Sequence, residues 1–517
     1  MEMNICRELW LWGLLLGLAA LVVRIGKAIW WRPRQIERHL AAQGITGPSY
    51  KLLYGNLLEM KKMVQEAKSK PMELSHRILP RIIPYYDTSL QKYGRIFLYW
   101  FGTKPRLNIH DVDLIKEILS TKFGHFEKPP PTPVTKQLAG NGLASLEGHQ
   151  WAKHRRIINP AFHVENLKGM IPTVAASAAD MLTRWNERVG ASDTEIEVSK
   201  EFRELTADVI ARTAFGSSYV AGKHIFDMQS EQTMLVVEAA RSLYIPGFRF
   251  LPTKKNMRRW KLHKEIRRSL KMLINEREQA LSMGKSKGYG NDLLGIMMAT
   301  NKQESGTQNT CMTVEDIIGE CEIFFFAGHE TTSVLLTWTM VLLGMHQEWQ
   351  ETARKEVLDI CGKSVPNSDN INRLKIVTML LNESLRLYPP GVLLLRHTYK
   401  EMQLGDFTIP AGTELLLPIL AVHHDPKLWG NDADEFNPQR FAEGVANAAK
   451  HPLAFMPFSF GPRICIGLNF AMIEAKVVLA MILQQFSFSL SPSYSHAPTT
   501  VITLQPQFGA QIIVSQL

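Results

Sequence analysis

The stretch that decides the fold of this chain is Phe-Ser-Phe-Gly-Pro-Arg-Ile-Cys-Ile-Gly, from Phe458 to Gly467. It places Cys465 in a loop directly before an apolar helical stretch, Leu468 to Leu483. A thiolate at the start of a helix faces free backbone amides and the positive end of the helix dipole. Because such hydrogen bonds tune a soft metal ligand, the stretch indicates a thiolate metal site. Gly461 and Gly467 allow the backbone to approach a flat group closely.

The loop matches in full the pattern F-x-x-G-x-R-x-C-x-G, and it resembles the haem-binding loop of the cytochromes P-450, the haem-thiolate monooxygenases. The resemblance implies that Cys465 is the axial ligand of the iron in haem b. It also implies that Phe458, Gly461 and Gly467 shape the loop beside the porphyrin. The alternative interpretation is a structural cysteine in a tight turn, which is the commoner role of a lone cysteine.

Length and composition favour a single large domain behind a short anchor. Length alone suggests about three domains, but no Gly/Ser-rich or Pro-rich linker divides the 517 residues. The net charge of +10 favours contact with anionic lipid or an acidic protein. No nucleic acid partner is expected, because no zinc-finger spacing or basic helix with interleaved aromatic residues stands out. The five cysteines form no C-x-x-C pair, which favours a reducing, cytosolic location.

The N-terminal segment predicts a membrane anchor. Leu9 to Val23 is uncharged and apolar, and Ile25 to Trp31 extends it toward the length of a bilayer span if Arg24 and Lys27 snorkel. The basic residues after the run predict that the remainder faces the cytosol. We therefore predict an anchor over residues 1–35 and a catalytic domain over residues 36–517. A cleaved signal peptide is the alternative, but no small-residue cleavage site directly follows the run.

Helical patterns dominate the rest of the chain, and the predicted fold class is mainly α with minor β sheets. Asp111 to Leu119 is predicted to be a short helix with Asp111 as its N-cap. The proline-rich segment Lys128 to Pro133 must be a loop. Short strands are predicted at Arg95 to Phe101, Arg106 to Ile109, Gln403 to Ile409 and Glu414 to Pro418, and again near the C-terminus.

Four basic or aromatic residues are candidates for holding the carboxylates of a haem. Trp151 and Arg155 lie four residues apart and so share a helix face. An ordinary amphipathic pairing is the alternative for these two. The family resemblance implies that both donate to a haem propionate, and Arg396 and Arg463 match two further propionate-binding arginines. Two carboxylates buried beside a porphyrin need fixed cationic partners.

A second motif, Ala-Gly-His-Glu-Thr-Thr from Ala327 to Thr332, lies within a long apolar helix predicted from Val314 to Met345. Gly328 costs about 1 kcal/mol against alanine there, so we expect a close approach by a ligand or a local opening of the helix. Glu330 and Thr331 offer an acid and an alcohol that can relay protons. They resemble the family's acid–alcohol pair, which delivers protons during dioxygen activation, with Ala327 and Gly328 beside the cofactor. A core helix with a satisfied Glu and a backbone-bonded Thr is the alternative.

A third motif has a structural role by resemblance. Glu383 and Arg386 form the family's E-x-x-R pattern, and Arg440 joins them from the downstream stretch Phe436 to Phe441. The resemblance implies a buried network that braces the cysteine loop. Removing one partner of such a network strands a buried charge.

The resemblance covers nearly the whole chain. Its finer features resemble the plant branch called the 72 clan, and they lie in Gly47 to Asn56 and in the segment after Cys465. The resemblance implies a monooxygenase that inserts one oxygen atom from O2 into a hydrophobic small molecule, with terpenoids or isoprenoid-derived hormones as the substrate class. Candidate substrate contacts are Phe123 to Phe126, Phe324, Phe325, Val392 to Leu395 and the turn near Gln505.

The sequence contains no nicotinamide-binding motif, so electrons must come from a partner. The resemblance implies an NADPH–cytochrome P-450 reductase, docked on a basic face that includes Lys153 and Arg156. It also implies a location in the endoplasmic reticulum membrane. Two alternatives are a haem-thiolate isomerase or dehydratase that needs no reductase, and a non-catalytic haem-binding membrane protein.

Overall fold

The computed structural model describes residues 2–190, 193–216, 219–240, 250–285, 288–290, 292–301 and 311–517. Within these residues the chain forms two compact units. The sheet-rich unit comprises Met1–Ala67, Ile83–Pro129 and Leu395–Pro418, and the helix-rich unit comprises Lys68–Ile82, Pro130–Leu394 and Ile419–Leu517. The predicted boundary at residue 35 falls inside the sheet-rich unit.

Helices dominate, as the sequence patterns predicted. Helix Val164–Val189, for example, follows an apolar periodicity of about 3.6 residues and buries one face. Those of the sheet-rich unit are Glu2–Gly26, Arg32–Ala41, Leu57–Lys68, Pro84–Tyr93 and Val112–Lys116. Those of the helix-rich unit include Gly148–Ile158, Val164–Val189, Val198–Phe215, Tyr219–Ala240, Lys254–Ser282, Leu293–Asn301, Val314–Met345, Gln347–Cys361, Lys375–Leu387, Ile419–His423 and Leu468–Gln485.

The strands form small sheets. In the sheet-rich unit, Ile96–Phe101 pairs antiparallel with Lys104–Ile109, which pairs in parallel with Glu414–Leu417; Leu394–His397 completes this sheet. Gln403 to Ile409, predicted as one strand, is a hairpin of Met402–Leu404 and Phe407–Ile409, because Gly405 turns the chain at φ 52°. The helix-rich unit contains the antiparallel sheet Thr194–Glu197, Gln511–Gln516 and Phe486–Leu490, and the hairpin Pro498–Thr500 with Leu504–Pro506.

The N-terminal helix is long and exposed. Helix Glu2–Gly26 continues through one wider π-helical turn into Arg32–Ala41. Pro33 lacks the N–H that would bond the carbonyl of Ile29, and the hydroxyl of Tyr50 donates to that carbonyl instead, at 2.8 Å. The stretch from Leu9 to Ala41 is apolar and long enough to cross a membrane. Its exposed apolar surface fits a membrane anchor.

The helix Val314–Met345, called the central helix below, has the bounds that its sequence predicted. A capping box at Thr313 and Asp316 fixes its start. It packs most extensively against helix Val198–Phe215 and also contacts Leu468–Gln485. The latter is the second apolar helix of spanning length among the described residues, but more than half of it is buried in the protein core. The two helices that carry the predicted chemistry therefore lie in one packed core.

Candidate active site

The cysteine loop, Phe458 to Gly467, is closed by its own backbone. The amide of Cys465 donates to the carbonyl of Phe458 at 2.9 Å, and Ile464 donates to Gly461 at 3.0 Å. Gly461 has φ 73°, a left-handed conformation that favours glycine. A Cβ on Gly467 would lie 3.9 Å from the sulfur of Cys465. Glycine at 467 therefore keeps the space beside the sulfur open.

Cys465 is exposed at the surface of this loop, yet protein atoms surround it closely enough to desolvate it. Burial raises the pKa of its thiol, while hydrogen bonds from the backbone amides of Gly467 and Leu468 and the nearby Arg155 act in the opposite direction. These donors favour the thiolate form. A metal cation bound at the sulfur would therefore add to the stabilisation of the thiolate by the two amides and the guanidinium.

Three of the four residues predicted to hold propionates lie at the cysteine loop. Arg155 donates from Nη1 to the carbonyl of Ile464 at 2.9 Å. The guanidinium of Arg463 stacks on Trp151, with its carbon 4.5 Å from the ring centroid. Arg463 also pairs with Glu147. Trp151, Arg155 and Arg463 therefore lie together, and a propionate at Arg463 would compete with Glu147.

Arg396 is the fourth residue predicted to hold a propionate. It is buried on strand Leu394–His397 in the sheet-rich unit, where its Nη1 donates to the carbonyl of Leu395 at 2.8 Å. Its role as a propionate ligand stays a prediction.

The central helix has an open strip in its middle part. Ala327 is exposed, and Ile323 and Thr331 are half-buried, whereas most residues around them are buried. These three follow each other at intervals of four, so they share one face. The hydroxyl of Thr331 donates to the carbonyl of Ala327 at 2.8 Å. A small side chain and an alcohol thus face open space on the same strip.

The expectation that the helix opens at Gly328 is wrong. The central helix is continuous from Val314 to Met345. A Cβ on Gly328 would lie 2.7 Å from side-chain atoms of Ile210. Glycine is needed there because helix Val198–Phe215 packs against the central helix, and neither a local opening nor an approaching ligand is required.

Glu330 lies on another face of the central helix and is nearly buried. Its Oε1 accepts a hydrogen bond from the hydroxyl of Thr503 at 2.8 Å and another from the amide of Gln505. Its Oε2 is 3.8 Å from Nε2 of His329. Glu330 and Thr331 are adjacent in sequence, but their side chains have different partners in this structure.

The E-x-x-R motif forms the most completely buried ion pair at the site. Glu383 and Arg386 are both 0% exposed and are joined by two hydrogen bonds of 2.7 Å. Arg386 also donates to the backbone carbonyls of His423, Ala433 and Glu435. Arg440 approaches Glu383 at 3.6 Å and bonds the carbonyls of Trp429 and Asp432.

Sequence reasoning missed the residue that links this pair to the cysteine loop, His423. Nδ1 of His423 lies 3.1 Å from the carbonyl of Arg386, and its Nε2 accepts from the amide of Met456 at 3.1 Å. Its ring stacks on Phe455, with the centroids 5.6 Å apart. The two bonds require a neutral ring with the proton on Nδ1, and burial lowers the pKa of His423 to about 3. The sequence signal was a histidine at the end of the short helix Ile419–His423, which no motif singled out.

Two of the candidate substrate contacts belong to the core. Phe325 stacks on Phe215, with centroids 4.0 Å apart, and Phe324 stacks on Phe162 at 5.7 Å. Both phenylalanines are buried. Packing against these aromatic partners accounts for a phenylalanine at each position without a substrate contact.

The donor set fits a haem. A single soft sulfur is exposed in a glycine-lined loop, two backbone amides donate to it, and the guanidinium of Arg155 lies near it. A second cation, Arg463, stacks on Trp151 in the same loop region. A cysteine thiolate can hold haem iron, and hydrogen bonds to its sulfur tune that iron. The residues that would hold the group are Cys465, Trp151, Arg155 and Arg463.

Comparison with known proteins gives the same assignment. The family model described as "Cytochrome P450" matches residues 83–510. The chain is 52% identical over 510 residues to cytochrome P450 CYP72A616 of Paris polyphylla, covering 98% of both chains. It is 50% identical to cytochrome P450 CYP72A219 of Panax ginseng, covering 96% of both, and 48% identical to cytochrome P450 734A1 of Arabidopsis thaliana, covering 97% of this chain and 95% of the relative.

The matched region contains the cysteine loop, the central helix and the E-x-x-R pair. The match extends over more than half of the chain, and the relatives align almost end to end. The chain therefore belongs to the cytochrome P450 family of haem-iron monooxygenases, on the branch of the plant CYP72 and CYP734 proteins.

Proposed function

We propose that this protein is a membrane-anchored monooxygenase that inserts one oxygen atom from O2 into a hydrophobic small molecule, most commonly as a hydroxylation. The observation that carries the proposal is the exposed Cys465 beside two backbone amides and Arg155. It occurs in a chain that belongs to the cytochrome P450 family. When bound, haem b supplies the activation of dioxygen and the transfer of the oxygen atom.

In this proposal the sulfur of Cys465 would bind the haem iron as a thiolate, the form that the amides of Gly467 and Leu468 and the guanidinium of Arg155 favour. Arg155, Trp151 and Arg463 hold the propionates, with Arg396 as a further donor. Phe458, Gly461 and Gly467 shape the loop. Ala327 would face the cofactor from the open strip of the central helix, with Gly328 next to it in sequence. Support comes from the bonding of Arg155 to Ile464 and the stacking of Arg463 on Trp151. Glu383, Arg386 and Arg440 brace the loop.

Thr331 and Glu330 handle protons. The Thr331 hydroxyl donates to the carbonyl of Ala327 and keeps its lone pairs available as acceptors on the open strip. Glu330 is the acid that can replace a proton lost from that side of the helix. Because Glu330 is bonded to Thr503 and Gln505 in this structure, its side chain must turn before it can serve Thr331.

The substrate is proposed to be a terpenoid or an isoprenoid-derived metabolite or hormone. This rests on the likeness to the CYP72 and CYP734 relatives and on the apolar character of the residues near the open strip. An apolar wall with few polar groups selects hydrophobic ligands.

Electrons are proposed to come from NADPH through a separate flavin reductase. Residues 1–35 would anchor the protein once in the endoplasmic reticulum membrane, and residues 36–517 would form the cytosolic catalytic domain. The long apolar N-terminal helix supports this placement. The basic residues that follow its apolar run support the cytosolic side.

The test is isotope labelling. The purified full chain, a plant NADPH–cytochrome P450 reductase and NADPH are incubated with a lipophilic plant extract under 18O2, and products are followed by mass spectrometry. We expect products that carry one 18O atom and that depend on both NADPH and reductase. Product formation without NADPH or without label from O2 would instead identify an isomerase or dehydratase.

A matched control removes the ligand but not the fold. The Cys465→Ala variant should yield no labelled product, while Cys361→Ala, which removes a thiol remote in sequence from the motif, should retain the activity. Equal labelling by the two variants would contradict the proposal.

A further inference from the structure

The carboxylate of Glu330 occupies the end of a small pocket. The pocket has a volume of about 130 Å³, which is room for several water molecules. Its walls come from helices Val198–Phe215 and Tyr219–Ala240, from the central helix, and from the C-terminal turn defined by Pro498 to Pro506. The residues around it are Arg203, Gln229, Ser230, Thr233, Met234, Phe326, His329, Val501, Ile502 and Gln505.

The mouth of the pocket is open and its inner end is polar. Arg203, Ser230 and Ile502 are exposed. Other lining residues, Gln229, Thr233 and His329, are buried, as is Glu330. The pocket also contains the polar side chains of Gln229, Thr233 and Gln505, which can hydrogen-bond water beside the nearly buried carboxyl group. Water held in this way can carry protons to Glu330.

The C-terminal turn supplies the two donors that fix Glu330. Thr503 and Gln505 are two residues apart, so they point to the same side of the chain, and both bond Oε1 of Glu330. The turn itself is held firmly: the indole N–H of Trp338 donates to the carbonyl of Leu504 at 2.7 Å, and the amide of Leu504 donates to Pro390 at 3.1 Å. The donors are therefore preorganised against the central helix.

The second carboxylate oxygen of Glu330, Oε2, accepts neither of these two hydrogen bonds and can take up a proton. Both donors bond Oε1, whereas Oε2 lies 3.8 Å from Nε2 of His329. Nδ1 of His329 lies 2.6 Å from the carbonyl of Phe325 and donates to it, which leaves Nε2 as an acceptor in the neutral ring. The titratable groups that line the pocket are Arg203, His329 and Glu330, and helix Tyr219–Ala240 and the C-terminal turn add only uncharged side chains.

We propose that Thr503 and Gln505 are positioning residues that hold Glu330 in this side pocket, where its Oε2 takes a proton from solvent for delivery to the Thr331 side of the central helix. A hydrated proton in the pocket is transferred to Oε2, the protonated side chain turns away from the two donors, and the proton is released to an acceptor near the Thr331 hydroxyl. The carboxylate then returns to Thr503 and Gln505. The inference rests on the proposed monooxygenase function.

The first test measures the hydrogen bonds directly, without turnover. Infrared difference spectra against Glu330→Gln assign the Glu330 carboxylate bands in the purified protein. We expect these bands to shift in Thr503→Val and in Gln505→Leu, because each removes one donor. Thr499→Val is the matched control: Thr499 lies on the same turn, and its hydroxyl has no partner among the residues that the structure describes. Bands that stay unchanged in Thr503→Val and Gln505→Leu would overturn the proposal.

The second test follows the proton. Thr503→Val and Gln505→Leu should lower kcat about tenfold, raise the D2O solvent isotope effect on NADPH oxidation, divert electrons to hydrogen peroxide and leave KM unchanged. Ser230→Trp, which narrows the mouth, should raise the isotope effect in the same way, whereas Ser282→Trp at an exposed helix end should not. Thr503→Ser should restore the wild-type values.

The outcomes separate the two proposals. A wild-type protein without NADPH-dependent oxidation would refute the monooxygenase function itself. An active wild type whose isotope effect and peroxide yield equal those of all the pocket variants would refute only the role of the pocket.

Discussion

The cysteine loop and the E-x-x-R pair differ in how completely their polar groups are satisfied. Arg386 makes five hydrogen bonds to Glu383 and to three backbone carbonyls, and both side chains are fully buried. Cys465 is exposed, and the groups that act on its thiol are two amides and one guanidinium. A saturated network resists change, whereas an unsatisfied group remains available to bind.

The contrast indicates that the two motifs have different roles: the E-x-x-R pair stabilises the structure, and the cysteine loop binds. His423 connects them, since it bonds the carbonyl of Arg386 on one side and the amide of Met456 on the other. The rigid pair thereby fixes the start of the segment that ends at Cys465. Cys465, at the exposed end of this segment, is the residue that remains available to bind.

The largest expected effect comes from breaking the saturated pair. Arg386→Met leaves Glu383 buried without its main partner and should cost about 3–5 kcal/mol of unfolding free energy, measured by urea denaturation. Lys168→Met is the matched control, because it removes an i, i+3 ion pair with Glu165 that is solvent-exposed. It should cost less than about 1 kcal/mol. Equal losses in the two variants would refute the structural role of the buried pair.

A smaller effect is expected at the contact between the two long helices. Gly328→Ala places a methyl group 2.7 Å from Ile210 and should destabilise the protein by about 1–3 kcal/mol. Gly169→Ala, on helix Val164–Val189 with no atom within 4 Å of the new methyl group, should be neutral or stabilising by up to about 1 kcal/mol. Thermal unfolding of both variants measures the difference. A Gly328→Ala protein as stable as Gly169→Ala would mean that the helices are not packed as described.

The third expected effect is confined to acidic pH, and it is small in any one pH unit. The pKa of His423 is lowered to about 3 from its usual 6.5, so its contribution to stability is complete above pH 6.5 and is lost as pH falls toward 3. In this window one such histidine reduces the free energy of unfolding by up to about 1.4 kcal/mol per pH unit. His423→Asn should flatten this slope, and replacement of the exposed His149 should not. An unchanged slope in His423→Asn would contradict the neutral, doubly bonded ring.

Much of the site could be predicted from sequence because its motifs are local. The bounds of the central helix follow from its capping residues and apolar length, and the start of helix Leu468–Gln485 follows from the glycines of the loop. The N-cap at Asp111 was also predicted, and its side chain accepts from Asp113 and Leu114. Each of these depends on residues a few positions apart.

What sequence could not supply are contacts between distant segments. The reason for Gly328 is Ile210, more than a hundred residues earlier, and Glu330 is held by a turn near the C-terminus. The role of His423 depends on two bonds to backbone atoms, which leave no side-chain signature. Packing and backbone hydrogen bonds of this kind become visible only in the folded chain.

The most direct test of the account is the spectrum of the reduced, carbon-monoxide-bound protein. The wild type should show the Soret band of a thiolate-ligated haem, and Cys465→Ala should lose it, whereas Cys321→Ala, which removes a buried core thiol, should keep it. A thiolate band that persists in Cys465→Ala would contradict the assignment of Cys465 as the haem ligand.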